Sequence, residues 1–537
     1  LNDRVDPARP GRALAVASII MMGSVVLSRV LGLVREMVIA DIGGTGGQVS
    51  AYKAAFLLPD ILNHILAGGF LSVTFIPIYA RYLANGREAE GERVASLVLT
   101  VSAGLGVLLT VVGWVLAPWL VPLVVPGLDP ELKNEVVRLT RIILPAQIFF
   151  IPGGVLIAVQ MARGRFFIPA LAPLVYNAGI ILGGVALARG LGMAGFSWGV
   201  LGGAFAGNLL LQLWGANRAG FRFRSDFKWR HPDLLEYVLL TVPLALALTM
   251  TFSTEFFFKY FGSQVSAGAI ASLDYALRLM MVLVAVFGQA AGTASYPFLA
   301  RQAAEGRFAA LNELLDRTLR RFLVPVIGAA VLVAVIAPEI VRLVYQRGRF
   351  DADSAAATTV ALRGFLLGAP AWAASAIVVR GWFALRNTLV PALISTLGVG
   401  MALPLYGLFM SWWGTLGVAL GASAAMWLQA SLIYGLWCVK SSNAGAKGVV
   451  ATLLRALGLS ALLGAVAALA RGALVAWLGA ENFVGALTVV IVLTLAYSAA
   501  AWYLAPVFGL QELNGVVKRL LRRPPREPER SRSSESL

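Results

Sequence analysis

The chain has 537 residues, 59% of them hydrophobic and only 13% charged, with a formal net charge of +17 and a mean hydropathy of +0.79. A water-soluble protein carries roughly 25% charged residues, so this composition excludes a soluble globule and makes the bilayer the solvent. One cysteine, Cys438, excludes an intramolecular disulfide and a cysteine metal site, and the two histidines, His64 and His231, are too few and too separated for a zinc cluster.

Residues 1–12 are polar, and the apolar run from about Ala13 is interrupted by Arg29 and Arg35. A cleaved signal peptide has a shorter, unbroken core, so this run reads as a retained first span although Ala13-Leu14-Ala15 resembles a cleavage site. A crossing helix needs about 20 mostly apolar residues. Such runs fall at 14–40, 51–82, 95–125, 137–162, 167–188, 193–217, 234–261, 266–299, 320–345, 354–383, 387–411, 414–438, 449–475 and 482–508. The expectation is therefore an all-α polytopic protein with about fourteen transmembrane helices. Runs longer than a span that hold Pro or Gly, such as the second with Pro59, predict tilt and kinks.

Orientation follows from Lys and Arg. About 30 of the 44 basic residues fall on the side of the termini, in 81–93, 218–230, 301–321 and the tail after Lys518. This places both termini in the cytoplasm and makes the positive charge a topology signal, not a nucleic-acid footprint. The loop Phe221–Arg230 alternates aromatic and basic residues, as an interfacial belt does. Leu510–Arg523 reads as a basic amphipathic surface helix, and the Pro/Ser/Glu/Arg-rich end has nothing apolar to bury.

An internal repeat organises the spans. Pro77-Ile-Tyr-Ala-Arg81 with Gly86-Arg87 returns as Pro297-Phe-Leu-Ala-Arg301 with Gly306-Arg307, and Ala117-Pro118 returns as Ala337-Pro338. Pro169-Ala-Leu171 returns two residues later, as Pro391-Ala-Leu393. The offset of about 220 residues contains six spans, an even number, so the halves share one orientation and are related by an axis along the membrane normal. The predicted units are a tail (1–13), an N-lobe (14–220), an interfacial loop (221–233), a C-lobe (234–440), two further spans (441–509) and a basic tail (510–537).

Charges inside spans carry the functional reading. A basic side chain at the bilayer centre costs about 2.5–3.5 kcal/mol, yet Arg29, Arg35, Lys53, Arg278 and Arg363 all fall within predicted spans. They are housed more cheaply facing a wet cavity. Arg35, Lys53 and Glu36 alternatively lie near span ends and snorkel to headgroups, and Arg363 equally suits a bond to a neighbouring helix. Acidic company comprises Glu36, Asp60, Glu255 and Asp274. Asp274 and Arg278 are four apart and share a helix face, as do Asp60 and His64. A net-positive cavity suits an anionic substrate, because Arg presents a planar fork to phosphate oxygens. No metal-binding acidic pair or nucleophile constellation marks a catalyst.

Several motifs together resemble the MurJ/MviN lipid II flippase family. They are Ser28-Arg-Val-Leu-Gly32 with Val34-Arg-Glu36, Phe56-Leu-Leu-Pro-Asp60 leading to Phe75-Ile-Pro-Ile-Tyr-Ala80, the Phe221–Arg230 loop, Asp274-Tyr-Ala-Leu-Arg-Leu279, and Tyr345-Gln-Arg-Gly-Arg-Phe350. The resemblance spans about residues 14–510. It implies two six-helix lobes that alternate access, two further helices, and an undecaprenyl-diphosphate-linked cargo, lipid II, moved across the cytoplasmic (inner) membrane without a cofactor. It also implies cell-wall synthesis machinery as a partner, substrate contacts at Arg29, Arg35 and Arg278, and an ion-coupling acid at Glu255. The charges in spans add Lys53 and Arg363 as substrate candidates and Asp60, His64 and Asp274 as ion- or proton-coupling candidates, with Na+, H+, Cl− or the membrane potential as the driving force. The chain departs from the family pattern where charges are expected, at Ser50, Asn63, His64, Gly68 and Leu277, and adds Lys53. Those departures admit another polyprenyl-diphosphate-linked glycan or a phospholipid as cargo, a drug or metabolite antiporter on the same scaffold, or a scaffold that no longer transports.

Overall fold

The computed structural model describes residues 10–66, 70–226, 228–249, 253–478 and 482–510. The helix expected over Leu510–Arg523 and the polar end after it lie outside the described residues, as does most of the N-terminal tail. Among the described residues every regular element is helical. The N-lobe comprises α1 (Pro10–Gly43), α2 (Gly47–Ala55), α3 (Leu57–Leu66), α4 (Phe70–Ala84), α5 (Glu88–Val124), α6 (Pro130–Ile143), α7 (Gln147–Ala162), α8 (Phe167–Leu191), α9 (Met193–Ala204) and α10 (Leu211–Arg218). The C-lobe comprises α11 (Pro232–Thr249), α12 (Ser253–Ser263), α13 (Ala269–Leu283), α14 (Ala290–Ala304), α15 (Phe308–Val335), α16 (Ala337–Tyr345), α17 (Ala352–Leu366), α18 (Ala369–Ala384) and α19 (Leu389–Ser441). Two helices follow, α20 (Ala446–Leu478) and α21 (Phe483–Leu504). Below, the face where α1 begins is called proximal and the opposite face distal.

Nine helical segments among the described residues are long and apolar enough to cross a membrane, ten if α17 and α18, bent by 44°, form one span. The protein is thus a multi-pass membrane protein. The fourteen predicted runs are predominantly helical in their described residues, and α1, α2–α4 and α11–α12 carry Arg29, Arg35, Glu36, Lys53, Asp60, Glu255 and Lys259. Predicted spans eleven and twelve appear as one run, α19, whose 53 residues would be about 80 Å long if straight. They are instead a hairpin folded at Gly414, where φ is 53° and ψ −125°. The Gln429 side chain donates to Ser395 Oγ at 3.0 Å across the two arms.

The repeat is written into the backbone. Gly192, which turns the α8–α9 hairpin, has φ 58° and ψ −136°, nearly the geometry of Gly414, its counterpart one repeat later in the chain. Gly86 (φ 68°) matches Gly306 (φ 69°) in the same way, while Gly164 and Gly220 match Arg386 and Ser442, also at positive φ. Side chains repeat too. Glu92 and Ser96 on α5 fasten the loop after α10, through Arg224 Nε to Glu92 at 2.8 Å and Arg224 N to Ser96 Oγ at 2.9 Å. Their counterparts on α15, Asn312 and Asp316, fasten the end of α19, through Asn312 to Ser441 O at 2.9 Å and Asn443 to Asp316 at 3.0 Å. In the loop 221–230, Phe221 is buried while Phe223 and Trp229 are exposed, an arrangement that fits an interfacial belt.

The lobes meet near the axis of this repeat. Ala271 N donates to Ser50 Oγ at 3.2 Å, and Lys53 Nζ lies 2.8 Å from Asp274 Oδ2; each pair joins residues 221 apart, within one of the repeat offset. Such contacts along two helices running the same way require an axis parallel to those helices, as the even span count predicts.

A side chain at Gly414 must adopt a conformation that L-residues rarely take, at a cost of about 1–3 kcal/mol. Gly414→Ala should therefore lower the thermal midpoint in detergent, whereas Gly435→Ala, on the same run with open space around its Cα, should leave it unchanged or raise it.

Candidate functional site: a charged cavity between the lobes

The cavity between the lobes follows from local chain chemistry. On α1, Arg35 and Glu36 follow a stretch whose Met22, Val26 and Val30 are exposed, so helix propensity and lipid carry these two charges to the point where the lobes close. Opposite them, α2 is short and ends at Ala55, and the break before α3 turns Pro59 and Asp60 into the same space. From the C-lobe, α12 supplies Glu255 and Lys259 and α13 supplies Asp274 and Arg278. The enclosed volume is about 430 Å3. Tyr52, Gln147, Phe150 and Tyr176 also line it.

An ion-pair ladder crosses the lobe boundary here. Arg35 holds Glu36 Oε1 at 2.7 Å and Asn177 Oδ1 at 3.1 Å. Glu36 also accepts from Lys53, and Lys53 reaches Asp274 at 2.8 Å. Arg278 Nε sits 2.8 Å from Asp274 Oδ2 and 3.4 Å from Glu36 Oε1. The side chains of Glu36, Lys53 and Asp274 are only 3%, 4% and 7% exposed. Burial this deep disfavours each charge alone, and the alternation of sign compensates it. Lys53 and Glu36 thus do not snorkel. They are held between the lobes, where no headgroup reaches.

Three expectations change. The cavity lining is charge-balanced instead of net positive, with Arg35, Lys53, Lys259 and Arg278 matched by Glu36, Asp60, Glu255 and Asp274. Arg363 does not join it. Its Nε donates to Ala334 O at 3.0 Å, beside the pair in which Arg471 of α20 grips Glu339 of α16 at 2.7 Å. Arg29 is exposed near the middle of α1, outside the cavity lining, and its guanidinium donates across the lobes to Gln289 at 3.1 Å. Asp60 and Asp274 line the cavity, and Asp274 pairs with Arg278 as their spacing implied. His64 lies on α3, but its side chain is outside the described residues, as is Gly68. Ser50 and Leu277 are both buried, so two expected charges are replaced by packing. Lys259 was missed: its ammonium, 3% exposed, lies 3.9 Å from Glu255, and the four-residue spacing on an apolar helix was the available signal.

The cavity is sealed on the distal side and the seal repeats with the lobes. Arg349 N donates to Asp41 O at 2.8 Å, Gly127 N to Ser263 Oγ at 3.2 Å, and Thr45 Oγ1 to Ser354 Oγ at 2.8 Å. Any Cβ at Gly127 would strike the Gln264 backbone, so glycine permits the closest approach there. Proximal to the cavity, Met22, Val26 and Val30 of α1 and Val282 and Val286 of the C-lobe are exposed, and Arg29 and Gln289 bridge the lobes.

Two pseudo-symmetric helical lobes around a charged cavity, sealed at one face, define a membrane transporter of the alternating-access kind. A sequence model of the lipid II flippase MurJ matches residues 39–504, and the chain belongs to that family. It is 27% identical to a probable lipid II flippase MurJ of Rhizobium tropici, over 77% of this chain and 78% of the relative. It is also 27% identical to the lipid II flippase MurJ of Burkholderia cenocepacia, over 72% and 75%. Among solved structures, a lipid II flippase MurJ in an inward closed conformation superposes with a TM-score of 0.72 at 20% identity, over 91% of this chain and 99% of that one. An inward-facing multidrug resistance transporter of the MATE family gives 0.66 at 15% identity, over 77% and 94%. A flippase is a transporter, not a catalyst.

Removing one member of the ladder leaves its partners buried and unpaired. Lys53→Met should destabilise the protein by about 3–5 kcal/mol, and pairing it with Asp274→Asn should cost less than the two single changes added together. Thermal unfolding of the four proteins in one detergent checks this, and simple additivity would deny the coupling.

Proposed function

We propose that this protein flips lipid II across the cytoplasmic membrane by alternating access. The observation that carries the reading is the ladder itself, in which arginines from both lobes face one cavity and each is paired with a carboxylate. A diphosphate is a stronger bidentate partner for guanidinium than a singly charged carboxylate. Its arrival between Arg35 and Arg278 displaces Glu36 and Asp274 from them, which removes the Arg278–Glu36 pair across the lobe boundary. Opening of the distal face then parts Lys53 from Asp274, and water hydrates the separated charges. Arg29, on the proximal side of the ladder, meets the headgroup first.

The asymmetry of basic residues supports cytoplasmic termini, which makes the proximal face cytoplasmic and the present state inward-facing. The apolar faces of α20 and α21, with Leu454, Leu469 and Leu495 exposed, suit the polyprenyl tail, and the enzymes that polymerise the flipped precursor are the expected partners. Coupling to Na+, H+, Cl− or the membrane potential is assigned to Glu255 and Asp60 because the ammonium of Lys259 shares their space. Moving one charge through 100 mV supplies about 2.3 kcal/mol.

Complementation of a strain depleted of its own lipid II flippase tests the proposal. Wild type should restore growth, Arg35→Ala and Arg278→Ala should fail at equal membrane abundance, and Arg363→Ala should still restore it. Failure of wild type would remove lipid II as the cargo and favour another polyprenyl-diphosphate-linked glycan. Gly127→Ala, which blocks the distal seal, should raise the labelling of a cysteine placed at Asp41 by an impermeant reagent added from outside.

A further inference from the structure

A second cleft, of about 590 Å3, opens on the outer flank of the N-lobe between α5, α6 and α9. The helix α6 begins at the distal face and brings Asn134, Arg138 and Arg141 to one side at i, i+4 and i+7, with Lys133 beside them. Arg141 is fixed there. Its guanidinium stacks 4.3 Å from the centre of the Trp114 ring and its Nε donates to Trp114 O at 3.1 Å. Lys133 Nζ donates to Pro126 O at 2.7 Å, and Arg138 is half-exposed with one flanking carboxylate, Glu135, at 3.5 Å. Among the described residues, none that lines the cleft is acidic.

The setting is unusual in two ways. Distal segments of this chain are poor in basic residues, yet three converge here. The cleft is also rimmed by apolar surface on its lipid side, where Trp119, Leu123 and Trp198 are exposed, which is the composition of a headgroup-level belt. Basic pockets between spanning helices hold lipid phosphates by charge-assisted hydrogen bonds. Its inner wall is one helix thick, since Ile142, Pro145 and Leu201 face the cleft while their neighbours Ile143, Ala146 and Val200 face the central cavity.

We propose that this cleft binds the phosphate of an anionic phospholipid of the distal leaflet, with Arg138, Arg141 and Lys133 as its contacts and Trp114 and Trp198 against the glycerol and upper acyl chain. Native mass spectrometry of the full chain, released from vesicles of equal phosphatidylglycerol and phosphatidylcholine, tests it. Wild type should retain phosphatidylglycerol selectively. Arg138→Gln with Arg141→Gln should lower that retention by roughly tenfold or more, since about 1.5 kcal/mol for even one lost charge-assisted contact is about tenfold. Arg222→Gln with Arg230→Gln, an equal charge loss on the opposite face, should leave most of it. Equal retention of both lipids by wild type, or equal losses in the two double variants, would overturn the proposal. Displacement of the lipid by millimolar inorganic phosphate would instead identify a free-anion site and also overturn it. Matching thermal midpoints for wild type and the cleft variant establish that its lipid loss is not unfolding. Because it makes no use of the central cavity, the result stands apart from the flippase assay.

Discussion

The ladder Arg35–Glu36–Lys53–Asp274–Arg278 is the constraint around which the rest of the molecule is arranged. Five ionised side chains at a lobe boundary inside a membrane protein are tolerable only if the signs alternate and each charge has a hydrogen-bonding partner. Such an assembly adds little net stability over an apolar core of the same volume. In the proposed transport cycle, what it adds is a boundary that sticks while its charges are mutually satisfied and lets go when an outside charge competes for them. An apolar boundary offers an anionic cargo no such purchase, since phosphate has no affinity for leucine.

The duplication explains why the ladder sits where it does. Along a pseudo-twofold axis a residue faces the neighbourhood of its own repeat mate, so Ser50 meets Ala271 and Lys53 meets Asp274. Two like charges at such a position would repel; Lys in one lobe and Asp in the other make an ion pair at the axis. The same symmetry doubles the distal seal, with Gly127 approaching Ser263 in one copy and Arg349 bonding Asp41 in the other. The glycine turns at Gly192 and Gly414 keep the equivalent hairpins superposable despite low sequence similarity, because few residues other than glycine accept that backbone conformation.

Much of the fold was legible because lipid enforces simple rules. Apolar length, basic asymmetry and an even repeat gave helical class, span positions and the direction of the axis. The α19 hairpin was less legible, since a glycine turn of one residue does not interrupt an apolar run, whereas the break between α2 and α3 falls in the run where Pro59 predicts a kink. Of the site, Arg35, Lys53, Asp60, Glu255, Asp274 and Arg278 were identifiable as charges in costly places. The pairs that tie the lobes, Lys53 to Asp274 and Arg278 to Glu36, were hidden because they join opposite halves of the chain, whereas Arg35–Glu36 and Asp274–Arg278 are local. Arg363 illustrates the converse: a charge within a span found a carbonyl, Ala334 O, and a place beside α20 without facing the cavity.

By itself the sequence determined that the chain dissolves in a bilayer as two like-oriented helical halves with two additional helices, because hydrophobic length and charge position act locally and are read one segment at a time. Only the tertiary structure decided that the cavity is electrically balanced, that Lys53 belongs between Glu36 and Asp274, and that the distal face is the closed one. Those properties are sums over charges and backbones from both lobes, and electrostatic energy depends on distance in space, which separation along the chain does not report.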